Sequence, residues 1–72
     1  MNKYIIPVCD LVNATIWIDK YAARSISECK DKIMREFSDA YDEDFTDYQE
    51  FLDIMDNKYN YSIGEIIDIE TI

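Results

Sequence analysis

Apolar residues follow two different patterns along this chain of 72 residues. Residues Lys3 to Cys9 and Ala14 to Tyr21 are rich in β-branched and aromatic side chains, which favours two β-strands. The link between them, residues 10–13, has a turn-forming residue at each end, so we predict a β-hairpin. Pro7 has no amide hydrogen to donate. Proline is therefore typical of edge strands and bulges, so we predict that part of the first strand lies at such a position and that residues 3–9 offer a free sheet edge.

Two amphipathic helices are predicted after the hairpin. The run Ser25-Ile26-Ser27-Glu28 matches a capping box, in which the Ser25 hydroxyl accepts from the Glu28 amide and the Glu28 carboxylate reaches the Ser25 amide. A helix should begin at Ile26 and end near Asp39, and a second should follow a Thr46 cap. Apolar side chains repeat every three or four residues in both helices. The stripes are Ile26, Cys29, Ile33 and Phe37 in the first helix, and Tyr48, Phe51, Leu52, Met55 and Tyr59 in the second.

The end of the chain predicts one more strand. Asn57, Asn60 and Gly64 mark the exit from the second helix, and Ile66, Ile67 and Ile69 with intervening acids read as a strand. We therefore predict one α+β domain, residues 1–72, in the order β-β-α-α-β. Its three-stranded sheet, antiparallel or mixed, would carry both helices on one face, with the third strand beside the first. A chain this short supports only one core.

Charge is divided unevenly along the chain. Residues 1–35 hold four acids and six bases, whereas residues 36–72 hold twelve acids and one base, which together give the net charge of −9. Nine carboxylates lie between Glu36 and Asp56 with no Lys, Arg or His among them. On the second helix, Asp47, Glu50, Asp53 and Asp56 are centred opposite the apolar stripe. The pattern predicts an acidic band facing solvent.

Composition argues against several functions. Seven bases against sixteen acids disfavour direct binding to nucleic acid or to anionic membranes. The absence of His removes the commonest general base and metal ligand, so we predict no enzyme and no cofactor. The run from Asp42 to Asp47 does not form an EF-hand, because position six is Asp47 where Gly is needed, and position twelve is Asp53 where Glu is needed. We therefore predict no metal site.

Features of the whole chain favour a soluble intracellular protein. We find no secretion leader and no apolar span of about 20 residues, so a cytoplasmic protein is expected. Cys9 and Cys29 are too few for a disulfide framework and are both expected in the core.

The acidic band has two interpretations. It is either a solvated surface that keeps the protein soluble, or a mimic of nucleic-acid phosphates that occupies a basic groove on another protein. In the second interpretation tyrosines outside the helix stripe would add contact area, because Tyr is common at binding hot spots. The predicted partner-binding residues are Asp42, Glu43, Asp44, Asp47, Glu50, Asp53 and Asp56, with Tyr41 and Tyr61.

Two resemblances bear on function. The segment from Trp17 to Cys29, a strand running into Ala-Arg-Ser-Ile-Ser-Glu-Cys and then a helix, resembles the strand-to-helix passage of the DpnD/PcfM-like proteins of phages and conjugative elements. The small size, the acidic second half and the tyrosine-bearing helix are similar to phage anti-CRISPR proteins that occupy DNA-binding surfaces of Cas effectors. The second resemblance implies a stoichiometric inhibitor, encoded by a phage or mobile element, that acts in the cytoplasm of a bacterial host.

We therefore predict an inhibitor that binds a basic nucleic-acid-binding protein, such as a Cas effector or other host defence nuclease, and blocks its nucleic-acid site. The protein would be a monomer or a weak homodimer. Reversal of Asp47, Glu50 and Asp53 to lysine is expected to abolish binding and leave the fold intact. The alternative is a structural or regulatory module that associates through its sheet edge or apolar surface.

Overall fold

The computed structural model describes residues 1–70, an antiparallel sheet with two helices packed on one of its faces. The sequence predicts a single domain over residues 1–72, and the structure describes residues 1–70 of that range. The α+β class and the β-β-α-α-β order are confirmed. The predicted last strand, residues 66–69, corresponds to the short strand Ile67–Asp68, and a further short strand that was not predicted, Tyr61–Ile63, precedes it, so the sheet has four strands where three were predicted. The elements are β1 (Asn2–Asp10), β2 (Thr15–Ala23), α1 (Ile26–Tyr41), α2 (Tyr48–Tyr59), β3 (Tyr61–Ile63) and β4 (Ile67–Asp68).

Strand β1 is the central strand of the sheet. It pairs with β2 along its whole length on one side, and with β3 and β4 in succession on the other. The predicted position of the last strand beside the first is confirmed. The predicted free edge at residues 3–9 is wrong, because both sides of β1 are occupied.

Pro7 fits this central strand because it faces the break between β3 and β4. Its carbonyl accepts from the Gly64 amide at 2.9 Å. In a strand the nitrogen and carbonyl of one residue point to the same side, so the Pro7 nitrogen also faces residues 64–66. No strand there requires a donor, and the missing N–H leaves no acceptor of a β-ladder unpaired.

The core lies between the helices and one face of the sheet. Every second side chain of β1 is buried against the helices, as the period of a strand requires. The buried hydrophobic residues are Tyr4, Ile6, Val8, Ala23, Cys29, Ile33, Phe37, Phe51 and Met55. Phe51 makes edge-on contacts with Phe37 and Phe45, with ring centroids 5.3 and 5.1 Å apart. Both helix stripes thus meet in one cluster.

Four local predictions need correction. Ile26 is 48% exposed because it lies at the first position of α1, outside the buried stripe. Helix α1 continues past Asp39 to Tyr41. The Ser25 hydroxyl does accept from the Glu28 amide at 3.1 Å, but the Glu28 carboxylate accepts from the Arg24 amide. Both cysteines are free and Cys29 is in the core, whereas Cys9 is half-buried on the face of the sheet opposite the helices.

Candidate functional site

The acidic helix α2 is capped by two of its own carboxylates. Asp47, and not Thr46, is the N-cap, with extended backbone (φ −154°) and a side chain that accepts from the Glu50 amide at 2.8 Å. The Glu50 carboxylate accepts in return from the Thr46 amide at 3.1 Å and the Thr46 hydroxyl at 2.9 Å. Such reciprocal bonds satisfy amides that a helix start leaves without partners. Asp47 and Glu50 therefore hold the helix start as well as carrying charge.

Glu43 joins the connector between the helices to the end of α2. Its carboxylate accepts from the Lys58 ammonium and from the Tyr59 hydroxyl, the latter at 2.7 Å. The hydrogen bond from Lys58, followed by that from Tyr59, lowers the pKa of Glu43 below its ordinary value. Lys58 is the single base in residues 36–72. Its charge is therefore already engaged by one carboxylate.

The other predicted acids are exposed. Asp53 accepts from the exposed Gln49 amide at 3.2 Å. The side chains of Asp42, Asp44 and Asp56 have no hydrogen-bond or ion-pair partner within residues 1–70. The predicted placement of the band opposite the helix stripe is confirmed for Asp47, Asp53 and Asp56, while Glu50 is half-buried. We call the five exposed carboxylates the acidic surface: Asp42, Asp44, Asp47, Asp53 and Asp56.

Tyr41 and Tyr61 lie together and are both half-buried. Their ring centroids are 5.9 Å apart, and Tyr41 also lies 4.7 Å from the Tyr59 ring. Burial, followed by a hydrogen bond with Tyr61, raises the pKa of Tyr41 to about 12. The two tyrosines thus pack on each other at the edge of the core. A contact of either with a partner stays a prediction.

An open groove of about 540 Å³ lies beside the acidic surface. Its lining comprises Glu43, Asp53, Ile54, Asn57 and Lys58. The half-buried Ile54 side chain offers an apolar contact flanked by the exposed carboxylate of Asp53. Such a combination suits the long aliphatic stem and charged head of a lysine or arginine.

Hydrogen bonds lower the pKa of two carboxyl groups, Asp10 and Glu43, below the ordinary values. For Asp10 the causes begin with the bonds that it accepts from Asn13 in the hairpin turn. A glycosidase-type general acid needs a raised pKa, which is the opposite direction. The predicted absence of enzymatic activity stays a prediction.

The described part of the chain contains neither a metal-ligand cluster nor a membrane-spanning helix. Residues 1–70 contain no cluster of three or more potential metal-ligating side chains. No helix within them has the length and hydrophobicity to cross a bilayer.

The face of the sheet away from the helices is a second candidate surface, whose residues the sequence patterns did not single out. Register pairs place ten side chains on it: Lys3, Ile5, Pro7, Cys9, Ile16, Ile18, Lys20, Ala22, Ser62 and Ile67. We call this the outer sheet face. A signal was present, because Ile5-Ile6 and Ile16-Trp17-Ile18 are apolar at successive positions, as in strands covered on both faces.

Comparisons with known proteins add no relative. No protein-family model, curated protein or solved structure matches the chain. The two resemblances drawn from the sequence therefore stay predictions.

Proposed function

We propose that this protein binds a basic, nucleic-acid-binding protein and blocks its nucleic-acid site, with the acidic surface taking the place of phosphates. A CRISPR-Cas effector or another host defence nuclease is the class of partner proposed. The observation that supports this function is the uncompensated charge of the acidic surface. Lys58, the single base in residues 36–72, is bound to Glu43, while the five exposed aspartates form no ion pair within residues 1–70.

The spacing of the carboxylates suits a phosphate mimic. Asp53 and Asp56 are three residues apart, so they are separated by about 4.5 Å along the helix axis. One strand of duplex DNA advances about 3.4 Å per phosphate. Phe51 and Met55, both fully buried, hold the opposite side of α2 against the core. The charges are therefore presented on a fixed support rather than on a flexible tail.

The electrostatics predict how binding should respond to salt. Exposed like charges attract a basic groove over distances comparable with the Debye length, about 8 Å at physiological ionic strength. Association should therefore be fast at low salt and should weaken as salt is added. A complex held mainly by apolar contact would not show this dependence.

The hydrogen bonds of the acids indicate which of them can be substituted without destabilising the fold. Reversal of Asp47 and Glu50 would remove both sides of the α2 cap, so the substitution of those two residues by lysine is not neutral for the fold. A cleaner variant combines Asp44→Asn, Asp53→Asn and Asp56→Asn, since none of these side chains caps a helix. A matched control combines Asp31→Asn, Glu65→Gln and Glu70→Gln, which changes the net charge equally at exposed positions elsewhere.

The experiment is capture from a bacterial host lysate at low salt, with the wild type and both variants as immobilised baits. Mass spectrometry should identify nucleic-acid-binding proteins that the wild type and the control variant retain and the Asp44/Asp53/Asp56 variant loses. Added duplex DNA should release them. Capture that is unchanged by the triple variant, or that DNA does not disturb, would rule out phosphate mimicry.

A further inference from the structure

The outer sheet face is apolar and has no covering element in residues 1–70. Both helices pack on the other face of the sheet. On the outer face Ile16 and Ile18 are 71% and 56% exposed, and Ile67 is 39% exposed. Cross-strand pairs make these side chains neighbours, because Ile18 lies opposite Pro7, Ile16 opposite Cys9, and Ile67 opposite Ile5. Contiguous apolar surface of this kind is typical of an interaction site.

Charge indicates what can cover this face. The protein has sixteen acids, yet none lies among the ten side chains of the outer sheet face. Its charged members are Lys3 and Lys20, near the end of the sheet away from the hairpin turn. Two copies of a chain of net charge −9 repel each other in most orientations. Contact through the outer sheet faces keeps the acids of both copies away from the interface.

The size of the face sets the expected strength of such a contact. Strands β1 and β2 have nine residues each, and β3 and β4 complete a third row. At about 3.3 Å per residue and about 4.8 Å per strand, the face measures roughly 30 by 14 Å. Two copies would cover a flat area of about 800 Å², whereas stable interfaces bury about 1,200–2,000 Å² in total. The area corresponds to a weak dimer that depends on protein concentration.

We propose that the outer sheet face binds the same face of a second copy of this chain. The two sheets pack face to face, which gives four layers in the order helix, sheet, sheet, helix. Ile16 and Ile18 of both copies lie in the interface, and the lysine side chains extend to its rim. The acidic surface on α2 of each copy stays open to solvent. This inference does not depend on the proposed function.

The test is the mass in solution, measured by sedimentation velocity over a range of protein concentrations. The wild type should move from 8.6 kDa towards twice that mass as concentration rises. The variant Ile16→Thr/Ile18→Thr keeps β-branched side chains but removes apolar area, and should raise the dissociation constant about tenfold or more. Ile26→Thr is the matched control, because Ile26 is 48% exposed but lies on α1. It should dimerise as the wild type does.

The cysteines provide an independent readout. Cys9 lies on the outer sheet face, whereas Cys29 is fully buried in the core and reports unfolding. The rate of Cys9 labelling by a thiol reagent should fall with rising protein concentration while Cys29 stays unreactive. A wild type that remains at 8.6 kDa with concentration-independent labelling would overturn the proposal and assign the face to a different partner. So would a dimer that survives the Ile16/Ile18 changes.

Discussion

The cap of α2 offers a direct test of how this acidic protein holds its most highly charged helix. Asp47 accepts from the Glu50 amide at 2.8 Å and lies at the helix N-terminus, where a negative charge is favourable. Asp47→Ala removes both the hydrogen bond and the charge. Asp47→Asn keeps an oxygen that can accept the same bond and removes only the charge, since Asn is as good an N-cap as Asp.

The two changes should differ in magnitude. Loss of a cap costs about 1 kcal/mol, and loss of the charge at the helix terminus about 0.5 kcal/mol. Asp47→Ala should therefore lower the free energy of unfolding by about 1.5 kcal/mol, and Asp47→Asn by about 0.5 kcal/mol. In a domain of this size each kcal/mol corresponds to about 4–8 °C in Tm. We expect Tm to fall by about 6–12 °C for the alanine variant and by about 2–4 °C for the asparagine variant.

Thermal and urea unfolding followed by far-ultraviolet circular dichroism would measure both values. Ser25→Ala is an internal comparison, because Ser25 caps α1 with a similar bond of 3.1 Å but carries no charge. Equal stability of Asp47→Ala and Asp47→Asn would refute the capping argument and leave charge alone as the cause. A stability gain in either variant would mean that repulsion among the acids outweighs the cap.

Two further predictions concern the sheet and the tyrosines. A Cβ on Gly64 would lie 2.6 Å from Pro7 Cγ, so Gly64→Ala should cost about 1–3 kcal/mol, and Pro7→Ala in the same chain should recover part of that loss in urea unfolding. Burial raises the pKa values of Tyr41 and Tyr48 to about 12 from 10.0. The unfolded chain therefore releases these protons first, and stability should fall as the pH rises from about 10 towards 12. Tyrosinate absorbance and circular dichroism should be recorded together as the pH rises. Ionisation of both tyrosines near pH 10, while circular dichroism still shows a folded protein, would contradict this prediction.

The sequence predicts the fold where one local signal dominates. The stripe of Cys29, Ile33 and Phe37 and the Ser25 cap determine α1, and hydrophobic periodicity places α2 correctly. The errors lie where tertiary structure decides. Pro7 favours an edge by its own chemistry, but the gap between β3 and β4 accommodates it in the central strand. The short strand β3 has three residues and no alternation long enough to recognise.

The sequence predicts which residues form the candidate site, but not which of its carboxylates make structural hydrogen bonds. Periodicity places the acids on the solvent side of α2, and five of the seven predicted carboxylates are exposed. Which of them carry structural bonds depends on contacts across the connector, such as that between Glu43 and Lys58, fifteen residues apart. The sequence does not predict the outer sheet face as a binding surface. These strands are apolar on both faces, and such a pattern does not reveal which face the helices cover.

The division of charge between the two faces has a consequence that a single experiment can test. Binding through the acidic surface depends on attraction, so added salt should weaken it. Association through the outer sheet face brings together two chains of net charge −9, so added salt should screen their repulsion and strengthen it. Opposite salt responses are therefore expected from one molecule. Because dimerisation leaves both acidic surfaces open, Ile16→Thr/Ile18→Thr should weaken the dimer without changing the salt dependence of partner capture. Asp44→Asn/Asp53→Asn/Asp56→Asn should abolish partner capture and keep the dimer, whose association should depend less on salt because the variant carries less negative charge.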